Sequence, residues 1–313
     1  MLTIRSVNIS KKTGTVKTAV PSIELDACGV KTDAHSGSWH RQVSLLGEEA
    51  YDTMQLDPKE FPFGSFAENI TTTGTPATDV PDLKHCRIGD RFRCGDVLLE
   101  VTQIGKKCHG PGCPIHIKAG HCVMPKEGIF ARVLSGGTLQ AGDKLEYESK
   151  TYQIHIITLS NRAYEGIYED RSGPELERLV TSFCEQHQWP VAVTRTVLPD
   201  DPKRLEKLLK EAITNEVDMV FTTGGTGLGP SDITAGVVKP LLDREIPGLM
   251  EYIRITYGKD NPKALLSHSL AGVAGKTLIF TLPGSVRAVG EYFSEISRSL
   301  THMVYMVMEL DVH

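Results

Sequence analysis

The chain has 313 residues, a length at which two domains are the ordinary arrangement. Its residues are 40% hydrophobic and 23% charged, which is typical of a globular protein. The formal net charge is −5 and neither half has a basic surplus, so a nucleic-acid partner has no electrostatic support. A membrane span is not expected either, because no run of about 18 apolar residues is present.

The first residues lack the apolar segment and small-residue cleavage site of a secretory signal, so we expect a cytoplasmic protein. The chain has 7 cysteines, and all but Cys184 precede residue 123. In a cytoplasmic chain this distribution favours reduced thiols, with a metal or sulfur site, over a disulfide framework.

Short β-rich runs separated by Gly and Pro fill the first half of the chain. Within the run 90–104, Cys94-Gly95-Asp96 is typical of a hairpin turn. Only 44–54 has the spacing of a short helix. Many short strands with frequent turns predict an all-β barrel or sandwich, with strands at 2–9, 90–104 and 128–134.

A polar stretch at 146–151 marks the predicted boundary between domains 1–148 and 149–313. Beyond it, strands and helices alternate, which predicts an α/β fold with an open, mostly parallel sheet and helices on both faces. The predicted strands are 152–159, 191–198, 217–223 and 276–282. The predicted helices are 174–186, 202–213 (capped by Asp201, with Pro202 first) and 285–309.

The most distinctive motif is the glycine-rich segment 222–234, TTGGTGLGPSDIT, which follows a predicted strand. Its glycines permit positive φ and let backbone amides approach a ligand. Neither a Walker A lysine nor a G-x-G-x-x-G fingerprint is present. Ser231 or Asp232 could cap the next helix, whose N-terminus favours anions. A purely structural glycine turn is the alternative interpretation.

Acidic residues follow several predicted strands. They are Asp170, Asp200, Asp201 and Asp232. In a doubly wound sheet, loops at the carboxyl ends of the strands can converge on one cleft. Mg²⁺ takes one or two carboxylates together with substrate phosphates, which fits Asp200 and Asp232. The alternative is that these aspartates cap helices, a role that Asp often has.

Residues 152–310 resemble the molybdopterin adenylyltransferase family of MogA/MoaB type. The resemblance covers nearly the whole C-terminal half, in family order and spacing. It rests on ITLSNRA (157–163), VLPDD (197–201), the glycine-rich segment, REIPG (244–248) and LPGS (282–285). Asn161 stands where many members have Asp, whereas Arg162 keeps the family's basic residue.

The resemblance implies transfer of an adenylyl group from ATP to molybdopterin, with Mg²⁺, and release of pyrophosphate. Asp200 and Asp232 would be the catalytic residues and the Mg²⁺ ligands. A homo-oligomer, with a trimer formed through this domain, is also implied. The implied substrate-binding residues are Ser160, Gly224, Gly225, Thr226, Gly227, Ser231, Pro283, Gly284 and Ser285.

The N-terminal half contains a dense cluster of Cys and His, from Cys108 to Cys122. One interpretation is a zinc site, although the spacing is irregular. Another is a reactive thiol, because Lys106, Lys107 and His109 would lower the pKa of Cys108. The third is that the cysteines are buried and the histidines lie at the surface.

Five further segments of the N-terminal half form a pattern: DAHSG (33–37), RQVSLL (41–46), FGSFAENI (63–70), IGD (88–90) and GIFARV (128–133). Through them, residues 1–148 resemble a MOSC domain, named after the C-terminal region of molybdenum-cofactor sulfurases, and the resemblance implies a β-barrel. Thr32 stands where the family usually has Gly.

In that family a Cys matching Cys108 or Cys113 carries sulfur or meets the cofactor, and His35, Arg41 and Asn69 line the site. Alternatively, His35 is a turn residue, Arg41 is a salt-bridge partner and Asn69 is a buried hydrogen-bonding residue. Arg41 and Asn69 could instead hold the pterin phosphate.

Together the two halves predict a bifunctional protein of molybdenum cofactor biosynthesis. Its ligands would be ATP, Mg²⁺ and molybdopterin, with molybdenum or tungsten as the final metal. A molybdenum-insertion protein or a recipient molybdoenzyme would be its partner. Two alternatives are a molybdopterin carrier without turnover, and a sulfur transferase whose C-terminal domain only docks the pterin.

Overall fold

The structure is a computed structural model that describes residues 1–55, 57, 59–74, 82–107, 117 and 122–310. The chain divides into two compact units, Met1–Lys150 and Thr151–His313. Within the described residues, no helix combines the length and apolar character needed to cross a membrane.

The N-terminal unit is a β-barrel. Seven strands form a closed ring in the order β11-β7-β8-β9-β5-β6-β1, and β2 extends the sheet from β1. Antiparallel pairing of Leu2 with Leu145 closes the ring, so these strands leave no free edge. The strands are β1 Leu2–Ile9, β2 Thr18–Val20, β3 Ser22–Asp26, β4 Gly29–Val30, β5 Val43–Gly47, β6 Ile70–Thr73, β7 Arg91–Cys94, β8 Val97–Ile104, β9 Ile129–Ser135, β10 Gly137–Gln140 and β11 Lys144–Glu148.

The hairpin predicted at Cys94-Gly95-Asp96 is confirmed, because Cys94 pairs with Val97 and Gly95 has a φ of 55°. The helix predicted at 44–54 is wrong in its first half. Val43–Gly47 is a strand buried at every position, paired with β6 and β9, and helix α1 covers only Glu48–Thr53. Pairing on both sides outweighs the local helical spacing. A second short helix, α2, spans Met124–Glu127.

The C-terminal unit is an α/β domain with one sheet of six strands among the described residues, in the order β13-β12-β14-β17-β16-β15. The first four are parallel, and the last two are antiparallel, so the predicted mostly parallel sheet is in fact mixed. The strands are β12 Tyr152–Leu159, β13 Val191–Leu198, β14 Met219–Thr223, β15 Arg244–Glu245, β16 Ala271–Ala274 and β17 Thr277–Leu282.

Helices cover both faces of this sheet. Because strand side chains alternate between faces, Ile154 and Ile156 pack with one group of helices and Ile157 and Leu159 with the other. The helices are α3 Asn161–Tyr164, α4 Ser172–Gln186, α5 Pro202–Thr214, α6 Thr234–Val238, α7 Pro247–Gly258 and α8 Val286–Val307. The cap predicted for α5 is confirmed, because Asp201 accepts hydrogen bonds from the amides of Lys203 and Arg204.

Candidate functional site

The carboxyl ends of the four parallel strands bring three loops of the C-terminal unit into backbone contact. A Cβ placed on Gly224, after β14, would lie 2.3 Å from the carbonyl oxygen of Leu159, at the end of β12. A Cβ on Gly284, after β17, would lie 3.3 Å from the Cα of Gly224. Gly224 also has a φ of +94°, so any side chain there is excluded both by space and by backbone conformation.

The glycine-rich segment turns back on itself. Thr234 closes it, because its Oγ1 donates to the carbonyl of Gly224 at 2.8 Å and its amide donates to the carbonyl of Gly225 at 3.0 Å. Thr234 Oγ1 would be 2.4 Å from a Cβ on Gly225, which has a φ of +65°. The predicted ligand loop is therefore a tightly closed turn that presents backbone rather than side chains.

The Asp232 carboxylate closes the same turn. It accepts a hydrogen bond from the Gly229 amide at 2.8 Å, and it would lie 2.7 Å from a Cβ on Gly227. The prediction that Ser231 or Asp232 caps the next helix is wrong, because α6 has Ile233 at its N-cap and no side-chain cap. The reversal of the loop directs the Asp232 carboxylate back to the Gly229 amide instead.

Asp200 and Asp201 have different roles although they are adjacent. Asp201 caps α5, as the alternative interpretation of these aspartates predicted. Asp200 is tied to the loop after β12, because its amide donates to Asn161 Oδ1 at 2.9 Å. Burial raises the pKa of the Asp200 carboxyl, the Asn161 backbone amide opposes this, and the negative charge of Asp232 raises the pKa further. The charge of Asp232 therefore acts on the Asp200 carboxyl.

The chemistry of this pair fits a magnesium ion. The described residues contain no group of three or more His, Cys, Asp or Glu side chains that could hold a metal alone. Mg²⁺ does not need one, because it binds through one or two carboxylates and completes its shell with water and substrate phosphates. Asp200 and Asp232 would be the protein's share of that shell.

Asp170, the third acidic residue proposed for the cleft, is already satisfied by the protein. Its carboxylate accepts hydrogen bonds from Thr158 Oγ1 at 2.8 Å, from Ser172 Oγ at 3.0 Å and from the Gly173 amide at 3.0 Å. Ser172 Oγ also lies 2.8 Å from Thr223 Oγ1. Asp170 therefore links the end of β12 directly, and the end of β14 through Ser172, to the start of α4.

The remaining predicted substrate contacts fall into two groups. Ser160 and Ser285 are helix caps, since their hydroxyl oxygens accept from the amides of Ala163 and Ala288, both at 3.2 Å. Ser160 Oγ also lies 3.0 Å from Tyr168 Oη. The others line the loops by position: Thr226 is buried, Pro283 is partly buried, and Ser231 and Gly284 are exposed.

An exposed aromatic and basic pair lies beside the first loop. The Arg162 guanidinium is 5.0 Å from the centroid of the Tyr168 ring, and Tyr168 contacts Ser160 through its hydroxyl. Such stacking holds a guanidinium in place without neutralising it. Arg162 therefore supplies positive charge near a site that otherwise carries two carboxylates.

The N-terminal unit contains a buried ion pair that the sequence did not reveal. Lys17 Nζ donates to both Asp33 oxygens at 2.6 Å, and the two side chains are 1% and 2% exposed. Burial lowers the pKa of Lys17, whereas His35 and Lys17 hold the pKa of Asp33 well below its usual range despite its burial. His35 Nδ1 lies 3.2 Å from Asp33, so the pair orients the imidazole.

The other residues predicted for the MOSC site have separate surroundings. Cys108 and Cys113 lie outside the described residues. Asn69 is a buried hydrogen-bonding residue, because Ser44 donates to its Oδ1 and its Nδ2 donates to the Asn8 carbonyl. The Arg41 guanidinium lies 4.7 Å from the Trp39 ring centroid, and its buried Nε has no hydrogen-bond partner among the described residues.

Comparison with known proteins identifies the modules. A family model described as a probable molybdopterin binding domain matches residues 155–302. The molybdopterin adenylyltransferase of Helicobacter pylori strain J99 is 31% identical over 51% of this chain and 89% of its own length. The chain belongs to the molybdopterin-binding domain family. A MOSC domain model matches residues 32–146, which confirms the predicted fusion of the two modules.

Other relatives also match about half of the chain. The molybdenum cofactor synthesis protein cinnamon of Drosophila melanogaster is 36% identical over 49% of this chain. The molybdenum cofactor biosynthesis protein B of Staphylococcus epidermidis is 33% identical over 50% of this chain and 89% of its own length. The chain spans only 25% of the length of the Drosophila relative and 22% of the length of a gephyrin from Dictyostelium discoideum.

Proposed function

We propose that the C-terminal unit transfers an adenylyl group from ATP to the phosphate of molybdopterin in a Mg²⁺-dependent reaction. The observation that carries the proposal is the closed glycine-rich turn at the ends of the parallel strands, which presents backbone to the site and holds the Asp232 carboxylate on its Gly229 amide. Mg²⁺ binds through one or two carboxylates and substrate phosphates, which suits Asp232 together with Asp200, which lies just beyond β13. Relatives named as molybdopterin adenylyltransferases support the same reaction.

The chemistry requires positioning more than covalent catalysis. An oxygen of the molybdopterin phosphate forms a bond to the α-phosphorus of ATP, and the bond from that phosphorus to the β-bridging oxygen breaks. Pyrophosphate leaves with the electron pair, so no proton transfer is needed. The backbone amides of Gly225 and Gly227 would hold the reacting phosphates. The Gly224 amide already donates to the Leu282 carbonyl, so Gly224 contributes the close approach of the loops instead.

Asp200 and Asp232 would hold Mg²⁺, which when bound neutralises phosphate charge. Asn161 keeps Asp200 in place through its side-chain oxygen, and the Gly229 amide keeps Asp232 in place. Arg162, held over Tyr168, adds positive charge beside the first loop. Each of these contacts fixes a group before substrate arrives, which lowers the entropy that binding must overcome.

For the N-terminal unit we propose binding of the molybdenum or tungsten cofactor and handling of sulfur by Cys108 or Cys113. Asp33 orients His35, and the Arg41 guanidinium has an Nε without a partner in the described region, so each side chain could bind an anionic group. If sulfur is carried, intact-mass measurement shows an added sulfur atom on the wild type that thiol reductant removes. Loss of that mass in Cys108→Ser or Cys113→Ser identifies the carrier, and its absence from the wild type argues for binding alone.

The reaction is tested by incubating purified protein with molybdopterin, ATP and Mg²⁺ and measuring adenylylated molybdopterin and pyrophosphate. Asp232→Asn should abolish both products. Asp201→Ser is the matched control, because Ser keeps the helix cap while removing a neighbouring carboxylate. Tight pterin binding without product in the wild type would refute the enzyme and favour a carrier.

We further propose that the protein works in the cytoplasm as a homo-oligomer, with a trimer formed through the C-terminal unit. Its partner would be a molybdenum-insertion protein or a recipient molybdoenzyme. Light scattering of the purified chain tests the oligomer, since a mass of one chain at working concentration would contradict it. Linking the two modules would raise the concentration of one module's product near the other.

A further inference from the structure

A segment far along the chain is fixed beside the glycine-rich turn, although no sequence motif singles it out. The amide of His268 donates to the carbonyl of Thr226 at 2.8 Å. Arg254 Nη1 contacts the carbonyls of Ser267 and Ser269 at 3.3 and 3.1 Å. The residues around His268 are therefore held without help from the His268 side chain.

The contact point on the turn is next to the acidic pair. Thr226, which accepts from His268, is followed by Gly227, which packs against the Asp232 carboxylate. Consecutive Cα atoms are about 3.8 Å apart. The turn thus passes from the contact with His268 to the contact with a proposed metal ligand within one residue.

The His268 side chain has no structural task in the described part of the chain. It is exposed, and its imidazole makes no hydrogen bond to any described residue. Its neighbours differ, because Ser267 Oγ and Ser269 Oγ bond to each other at 2.8 Å. Arg254 is engaged by two carbonyls. His268, whose backbone is bonded to the turn, thus carries an exposed imidazole that no described residue engages.

We propose that His268 binds the phosphate of the pterin substrate. The inference rests on the proposed function and deepens it by assigning the two phosphate-bearing substrates to different parts of the site. The triphosphate of ATP brings Mg²⁺ and belongs with Asp200 and Asp232. The pterin phosphate, which must reach the α-phosphorus without its own metal, lies on the turn where His268 donates an N–H to one of its oxygens.

The test measures binding of the pterin in the absence of ATP, with quenching of protein fluorescence as the readout. The probes are molybdopterin and the same pterin after enzymatic removal of its phosphate. A hydrogen bond to a charged partner contributes about 1.5 kcal/mol, so His268→Ala should weaken molybdopterin binding about tenfold. Binding of the dephosphorylated pterin should not change. His268→Arg should restore most of the affinity for molybdopterin, because it restores an N–H donor.

Lys263→Ala is the matched control, because it removes an exposed cation from the neighbouring turn, five residues from His268, without touching Thr226. It should leave both affinities unchanged. Equal weakening of both probes by His268→Ala, or none, would overturn the inference while leaving the proposed function intact. A wild-type protein that binds neither probe would overturn both, and the two failures are therefore distinguishable.

Discussion

Removing the Asp170 carboxylate should destabilise the C-terminal unit and distort the proposed site. Asp170→Ala deletes three hydrogen bonds, from Thr158, Ser172 and Gly173. Thr158 is only 5% exposed, so its hydroxyl loses a partner that water cannot easily replace. At about 1 kcal/mol for each bond, the free energy of unfolding should fall by about 3 kcal/mol. For a unit of this size that corresponds to about 6–12 °C in Tm.

The assay uses the two tryptophans, since Trp39 lies in the N-terminal unit and Trp189 is buried in the C-terminal one. In a Trp39→Phe background, urea unfolding followed by tryptophan fluorescence reports on the C-terminal unit alone. Glu169→Ala removes the adjacent exposed carboxylate and should change little. Asp170→Asn keeps one acceptor oxygen and should cost about 1 kcal/mol.

The same experiment separates a positioning role for Asp170 from metal binding. If Asp170 were a Mg²⁺ ligand, Asp170→Ala would weaken the Mg²⁺ dependence of the reaction while leaving stability without metal unchanged or higher. A loss of less than about 1 kcal/mol in urea would refute the reasoning, because three bonds to a carboxylate would then contribute nothing measurable.

Three further predictions follow from single residues. Burial and Asp232 raise the pKa of Asp200, so the ionised Asp200 carboxylate opposes folding. Asp200→Asn should therefore raise the Tm at pH 7 without Mg²⁺. This gain in Tm should vanish as the pH falls through the pKa of Asp200, because the wild-type side chain is then also neutral. A lower Tm at pH 7 would contradict this. Thr32 has a φ of 64°, so Thr32→Gly should stabilise the N-terminal unit by about 0.5–1 kcal/mol in urea, and destabilisation would show that the turn is not strained. Asp33→Ala leaves the Lys17 ammonium buried and alone, so unfolding followed by Trp39 fluorescence should show a loss of about 3–5 kcal/mol; a loss under 1 kcal/mol would mean that Lys17 finds water.

The parts of the fold that local sequence determines were predictable. The strand Tyr152–Leu159 is a mainly apolar run, and its predicted bounds match those of the structure. Asp201 followed by Pro202 is a local signal for a helix start. The strand Val43–Gly47 was missed because its two partners are distant in the chain. Its pairing, rather than its own spacing, decides its structure.

The candidate site was predictable as far as motifs reach. The segments VLPDD and TTGGTGLGPSDIT pointed to Asp200 and Asp232 as candidates. They could not show that Asp232 folds back onto the Gly229 amide, since that contact depends on how the loop reverses. Lys17 and Asp33 carry no local signal for a buried pair, because their partnership exists only after the barrel closes around them. His268 was missed for the same reason, since its contact with the turn spans about forty residues of chain.

The central claim is that the C-terminal unit moves an adenylyl group, and the position of an isotope label tests it most directly. Purified protein is incubated with molybdopterin, Mg²⁺ and ATP labelled with ³²P at either the α- or the γ-phosphorus. The pterin product should carry the α label only, and one pyrophosphate should be released for each labelled product. Transfer of the γ label, or no labelled pterin with either ATP, would contradict it.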